Sequence, residues 1–121
     1  MTVFPRIGLI VFGCLLGGAI FSTAMAQNIP YRETVTLSVG QSAIIHGARG
    51  QCGEAPPDWS AVAARLPMVS VGTFSDGGVG ERRSRRCNGP TPARAVRFTA
   101  TTPGQEQIEL FGDTVDITVT E

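Results

Sequence analysis

The clearest pattern in the chain is an alternation of polar and apolar residues in its C-terminal third. Three segments show it, residues 95–101, 105–111 and 114–121. Because successive side chains of a strand point to opposite faces of a sheet, this period predicts three strands that each bury one face. Gly112-Asp113 predicts a two-residue hairpin turn that begins with glycine. The buried face is expected to consist of Val96, Phe98, Ala100, Ile108, Leu110, Val115, Ile117 and Val119.

The same alternation of polar and apolar residues occurs nearer the N-terminus. Residues 34–39 alternate, which places Val35, Leu37 and Val39 on one face of a strand. Residues 42–46 predict a second short strand after a turn. With these two segments, strands are predicted near both ends of residues 27–121.

The middle of the chain shows weaker periodicity. Residues 47–57 are rich in Gly and Pro and predict a loop. Residues 58–66 are the one segment compatible with a helical turn, with Asp58 as its N-cap and Pro67 after its end. At most one short helical element is therefore expected.

Two further strands are expected in residues 68–74 and 81–87, the second very polar. Ser75-Asp76-Gly77-Gly78 between them is a strong turn signal. Several short alternating strands with Gly and Pro corners predict an all-β fold, a sandwich of about seven strands.

Residues 1–26 have the organisation of a cleavable secretory signal. A single arginine precedes an apolar stretch at residues 7–21, and Ala24-Met25-Ala26 is the small-x-small pattern of a cleavage site. The apolar stretch is shorter than the roughly 20 residues that span a bilayer as a helix. We expect cleavage after Ala26 and one periplasmic or secreted bacterial domain, residues 27–121. A retained anchor and a lipoprotein signal ending at Cys14 are the alternatives.

The cysteine count fits export. Of the three cysteines, removal of the signal leaves Cys52 and Cys87. An isolated pair in an oxidising compartment predicts a disulfide. The alternative is a thiol or metal pair, which no CxxC spacing supports.

Charge is balanced overall and concentrated in one place. Residues 27–121 contain ten acidic residues, nine arginines and no lysine, which argues against general nucleic-acid binding because that requires a basic excess. No apolar run after residue 26 is long enough to enter a membrane.

The concentrated charge is Arg82-Arg83-Ser84-Arg85-Arg86, immediately before Cys87. Each guanidinium can fork onto a carboxylate or phosphate, so the segment predicts contact with an anionic partner. That partner would be an acidic protein, an envelope phosphate or an anionic polysaccharide. The alternative is a solvated edge strand whose charges prevent pairing with another sheet. Nearby charges that would extend or neutralise the patch are Arg94, Arg97, Glu54 and Glu81.

The disulfide is expected to tether the loop from Arg49 to Asp58 to this basic segment. Trp59 in that neighbourhood either packs over the disulfide or anchors a partner. The candidate partner-binding residues are therefore Arg49, Trp59, Arg82, Arg83, Arg85 and Arg86.

The chain offers little for catalysis or metal binding. His46 is the only histidine, and no nucleophile motif such as Gly-x-Ser-x-Gly accompanies it. We interpret it as a structural or surface histidine; the alternative is a small periplasmic enzyme that uses His46. Although His46, Asp76 and Glu54 could meet in space, and Asp113 and Asp116 lie two apart, no spacing predicts a metal site. The sequence predicts no catalytic residue, metal or cofactor.

Residues 96–104, Ile108-Glu109-Leu110 and residues 115–119 resemble the last three strands of bacterial immunoglobulin-like domains. Residues 35–42 are similar to their opening strand and turn. The resemblance implies an immunoglobulin-like sandwich that serves as a non-catalytic binding or structural module. A fold of this kind implies no particular activity by itself.

The same framework, with Gly77-Gly78-Val79-Gly80, is similar to chagasin-like inhibitors of cysteine peptidases. This second resemblance implies peptidase inhibition as the alternative function. The family's Asn-Pro-Thr-Thr-Gly-Tyr loop is replaced here by residues 47–53. Its Arg-Pro-Trp loop would lie between the last two strands, where the Gly112-Asp113 turn leaves no room. No inhibitory residue is therefore carried over.

Overall fold

Strands make up most of the part of the chain that a computed structural model describes, residues 27–121. The all-β sandwich with about seven strands and at most one helical turn is confirmed. The expected signal and its alternatives fall in residues 1–26, outside the described residues. The elements are β1 (Gln27–Asn28), β2 (Thr34–Ser38), β3 (Ser42–Arg49), α1 (Trp59–Ala63), β4 (Gly72–Ser84), β5 (Gly89–Ala100), β6 (Gly104–Leu110) and β7 (Asp113–Thr120).

The strands form two sheets, one in the order β1-β4-β5-β3 and the other in the order β2-β7-β6. β5 pairs antiparallel with both β3 and β4, and β6 pairs antiparallel with β7. Arg49 lies opposite Ala93 of β5, while Arg82 lies opposite Thr91. Since residues two apart on a strand share a face, this register brings Arg49 and Arg82 to one face of the first sheet.

The core lies between the sheets, and the predicted inward positions of β5, β6 and β7 are confirmed, with none of them more than 6% exposed. Val35 of β2 is buried as expected, and Leu37 is half-buried against the core. Val39 is 43% exposed because β2 ends one residue earlier. A second, smaller apolar cluster covers the other face of β5, where Ile29 packs with Ala93 and Ala95.

The turn predicted at Ser75-Asp76-Gly77-Gly78 is wrong, because these residues lie inside β4. The register with β5 shifts between Asp76 and Val79, which marks a β-bulge. Asp76 Oδ1 accepts the Gly78 N–H at 2.8 Å, and Gly78 has a φ of +93°. A bulge uses the same Asp and Gly chemistry as a turn, so the local sequence does not distinguish the two.

The boundaries of three other elements also differ from expectation. β3 continues through residues 47–49, which were predicted as loop. The helix is shorter than residues 58–66, and Asp58 occupies the N-cap position without a side-chain capping bond. The predicted strand at 81–87 ends at Ser84, and residues 85–88 turn the chain into β5.

The last hairpin is shifted by one residue from the prediction. Leu110 pairs with Asp113, so the two-residue turn is Phe111-Gly112. Both turn residues have positive φ, 53° and 89°. This combination is typical of a type I′ turn, whose twist matches that of the flanking strands.

The predicted disulfide between Cys52 and Cys87 is confirmed, with a Cα–Cα distance of 5.4 Å. It joins the loop after β3 to the turn between β4 and β5. Within residues 27–121 no helix has the length and apolar character needed to cross a membrane.

Candidate anion-binding cleft

His46 is the buried centre of the site, at the end of the sandwich where β3 meets the β6–β7 hairpin. Its side chain is fully enclosed. Nδ1 accepts the Gly47 N–H at 2.7 Å, and Nε2 lies 2.9 Å from Oδ2 of Asp113. Because a backbone N–H can only donate, Nδ1 is the acceptor. In the neutral ring Nε2 therefore carries the proton, and this N–H donates a hydrogen bond to Asp113.

The environment of His46 favours the neutral ring. Burial lowers the pKa of His46 below its usual 6.5, and the charge of Arg82 lowers it further. The bond to Asp113 and the Gly47 carbonyl raise the pKa, but these effects do not outweigh burial. The histidine therefore acts at neutral pH as an uncharged link between β3 and β7.

Arg82 of β4 forms the inner wall of the cleft. Its Nη1 donates to the Gly47 carbonyl at 3.1 Å and lies 3.3 Å from Nδ1 of His46. Burial and the nearby Arg49 lower the pKa of Arg82, and the charge of Asp113 opposes them. The guanidinium groups of Arg82 and Arg49 thus share a partly desolvated space, and the Asp113 carboxylate lies close to them.

Two aromatic rings pack against His46, and one of them, Phe111, also lines the cleft. Phe111 packs edge-on against the His46 ring, 5.1 Å between centroids, and the guanidinium of Arg65 lies 4.6 Å above Phe111. Tyr31 packs against His46 at 5.0 Å, and its hydroxyl donates to the Thr114 carbonyl. The left-handed backbone conformation of Phe111 is unusual for a bulky residue.

Apart from Tyr31, these side chains line a cleft of about 580 Å³. Asp113 is the only acidic residue in the lining, against six arginines on four parts of the chain. Among residues 27–121 none of the six forms an ion pair with a carboxylate. The cleft therefore carries a large uncompensated positive charge. Its arginines are Arg49, Arg65, Arg82, Arg83, Arg85 and Arg86.

Most of the candidate residues from the sequence meet in this cleft. Arg49 and the four arginines of the basic segment all line it, and Arg49 Nη1 donates to the Arg83 carbonyl. Trp59 does not line it; it begins α1, half-buried against the main core. Arg94 is engaged elsewhere, with Asp76 at 3.2 Å and the Pro57 carbonyl at 3.0 Å.

Three contributors to the cleft were not identified from the sequence. Arg65 follows the helix with no motif around it, and the sequence places Asp113 only in the hairpin turn and beside Asp116. The sequence predicts Phe111 as the last residue of a strand. Asp113 lies 67 positions from His46, and no local pattern signals a contact at that distance.

Within residues 27–121 no cluster of three or more His, Cys, Asp or Glu side chains is arranged to hold a metal ion.

The chain has no match among protein-family models, curated proteins or solved structures. The resemblances to immunoglobulin-like and chagasin-like domains therefore stay predictions.

Proposed function

We propose that the domain is a non-catalytic binding module of the bacterial periplasm or exterior, and that its cleft takes the anionic part of a partner. The observation that carries this proposal is the excess of six arginines over one carboxylate in a single cleft. The disulfide supports the extracytoplasmic location, because such bonds persist in oxidising compartments.

The arrangement of the arginines supports binding rather than simple solubility. Arg82, Arg49 and Arg65 are each held by a neutral group, respectively a carbonyl, a carbonyl and an aromatic ring. These contacts fix the side chains and leave most guanidinium donors unused. Fixed donors lose less conformational entropy when a ligand arrives, which raises affinity.

The two other functions have less support. As a catalytic base His46 would need a free ring nitrogen, but both nitrogens are engaged within the protein and the ring is buried. A chagasin-like inhibitor would need a long loop between the last two strands, where the turn has two residues. Neither observation favours those alternatives over anion binding.

Calorimetric titration with inorganic triphosphate tests the proposal. The variant Arg85→Gln with Arg86→Gln removes two exposed charges from the turn that edges the cleft. Each exposed charge contact contributes somewhat under 1 kcal/mol, so we expect affinity to fall about tenfold. Binding to the wild type should also weaken steeply as sodium chloride is added.

The matched control is Arg32→Gln with Arg97→Gln, which changes the net charge equally outside the cleft lining. Its affinity should stay within about twofold of wild type. An equal loss in both variants would mean that only net charge matters. Absence of triphosphate binding to the wild type at low salt would reject the cleft as an anion site.

A further inference from the structure

Asp113, the single carboxylate of the cleft, lines the ligand space and also contacts His46. Oδ2 of Asp113 is occupied by His46, and the side chain is 43% exposed. Its other oxygen, Oδ1, has no hydrogen-bond partner among residues 27–121. A carboxylate in this position repels a simple anion, so it needs another explanation if the cleft binds anions.

Asp113 is held in place and cannot easily turn away. The bond to the buried His46 fixes Oδ2, and pairing of Asp113 with Leu110 fixes its backbone next to the two-residue turn. The cleft therefore offers many guanidinium donors, most of them unused, and Asp113 as its only carboxylate acceptor. A ligand that satisfies this set carries negative groups and hydrogen-bond donors side by side.

The rest of the lining is poorly suited to a peptide. Apart from Phe111, already covered by Arg65, the non-arginine side chains of the lining are small or polar, and none forms an apolar pocket. Peptides also bind by adding a strand to a sheet edge. Here the Ile45 carbonyl of the edge strand β3 already accepts the Arg32 N–H, and the Ile44 carbonyl accepts a hydrogen bond from Arg32 Nε. These two carbonyls are therefore not free to pair with a peptide strand.

We infer that the ligand of the cleft is an acidic oligosaccharide, a sugar chain with carboxylate or sulfate groups beside free hydroxyls. This inference rests on the proposed anion-binding function and adds a chemical class to it. The arginines bind the anionic groups, and Asp113 Oδ1 accepts a neighbouring hydroxyl. Charge-assisted bonds of this kind are the strong ones in such sites.

The variant Asp113→Asn separates the two roles of the carboxylate. Asparagine keeps an oxygen for His46 Nε2 but removes the charge and the second acceptor. We expect affinity for inorganic triphosphate to rise about threefold, because repulsion is lost. Affinity for oligogalacturonate, which bears carboxylates and hydroxyls, is expected to fall about fivefold, because the loss of a charge-assisted bond outweighs the loss of repulsion.

A second measurement needs no variant and covers the possibility that the asparagine protein does not fold. Methylating the hydroxyls of oligogalacturonate keeps its charge and removes its donors. Wild-type affinity for the methylated form is expected to be about tenfold weaker. Two further ligands are compared with oligogalacturonate. A heparin-derived oligosaccharide compares sulfate with carboxylate, and a poly-glutamate peptide compares a peptide with a sugar.

The outcomes are distinct. Tighter binding of both triphosphate and oligogalacturonate by Asp113→Asn, equal binding of the methylated sugar, or a preference for poly-glutamate would overturn the acidic-sugar inference and leave the anion site standing. Failure of the wild type to bind triphosphate at low salt would reject the proposed function itself. Tighter binding of oligogalacturonate would identify carboxylate as the preferred anionic group, and tighter binding of the heparin-derived oligosaccharide would identify sulfate.

Discussion

The Cys52–Cys87 disulfide closes a loop across 35 positions of the sequence, and its removal is a direct test of how this small domain is stabilised. Cys52 is exposed and Cys87 half-buried, so replacing both by serine leaves no large cavity. The main effect is the entropy that the unfolded chain regains. For a loop of this length the chain-entropy model gives about 4 kcal/mol at 25 °C.

The assay is urea denaturation of wild type and of the variant Cys52→Ser with Cys87→Ser at pH 7. Domains of this size unfold with a free energy of about 5–15 kcal/mol, so a loss of about 4 kcal/mol is a large share. We also expect a steeper urea dependence in the variant, because the denatured chain without the bond exposes more surface. A reducing agent should bring the wild type to the same stability and leave the variant unchanged.

A loss below about 1 kcal/mol would refute this reasoning. It would mean either that the reduced unfolded chain keeps the two segments together, or that the bond strains the folded state by as much as it restricts the unfolded one. Equal stability of reduced and oxidised wild type would have the same meaning.

Two further predictions concern the buried histidine and the bulge of β4. Because burial lowers the pKa of His46 in the folded state, the unfolded chain binds more protons; this contribution to the free energy of unfolding is therefore complete above about pH 6.5 and is lost as the pH falls below it. Urea unfolding between pH 7.5 and 5 should show this decline, and its persistence in His46→Gln would assign it to other groups. A methyl group at Gly77 would lie 2.5 Å from Ile44 Cδ1 and 2.9 Å from Ala95 Cβ, so Gly77→Ala is expected to destabilise by about 1–3 kcal/mol. The comparison is Gly40→Ala, which meets no atom within 4 Å and should cost about 1 kcal/mol for its positive φ alone; equal losses would contradict the clash.

The sequence predicted the C-terminal strands well because each buries one face, which a two-residue period reports directly. It failed at Asp76 to Gly78, because a bulge and a turn require the same residues. It also displaced the last turn by one position. Gly112 signals a turn, but it does not say whether Phe111 or Asp113 completes it, since a phenylalanine with positive φ is uncommon.

The candidate site was predictable only where its chemistry is local. Four arginines in five residues are visible in the sequence, and Arg49 is near a cysteine that the disulfide brings to them. The link from His46 to Asp113 depends on the pairing of whole strands in two sheets. Arg65 reaches the cleft through its contact with the Phe111 ring, a position that the helix alone does not determine.

The turn at residues 85–88 lies outside both apolar clusters and is tied at its two ends, by the β4–β5 pairing and by the disulfide at Cys87. Arg85 and Arg86 are exposed there and contribute nothing to either core. Within this turn, Arg85 and Arg86 contribute charge to the cleft lining, whereas Cys87 holds the disulfide. Substitutions at Arg85 and Arg86 are therefore expected to change the charge of the cleft while leaving the stability of the scaffold intact, which makes these two positions suitable for engineering.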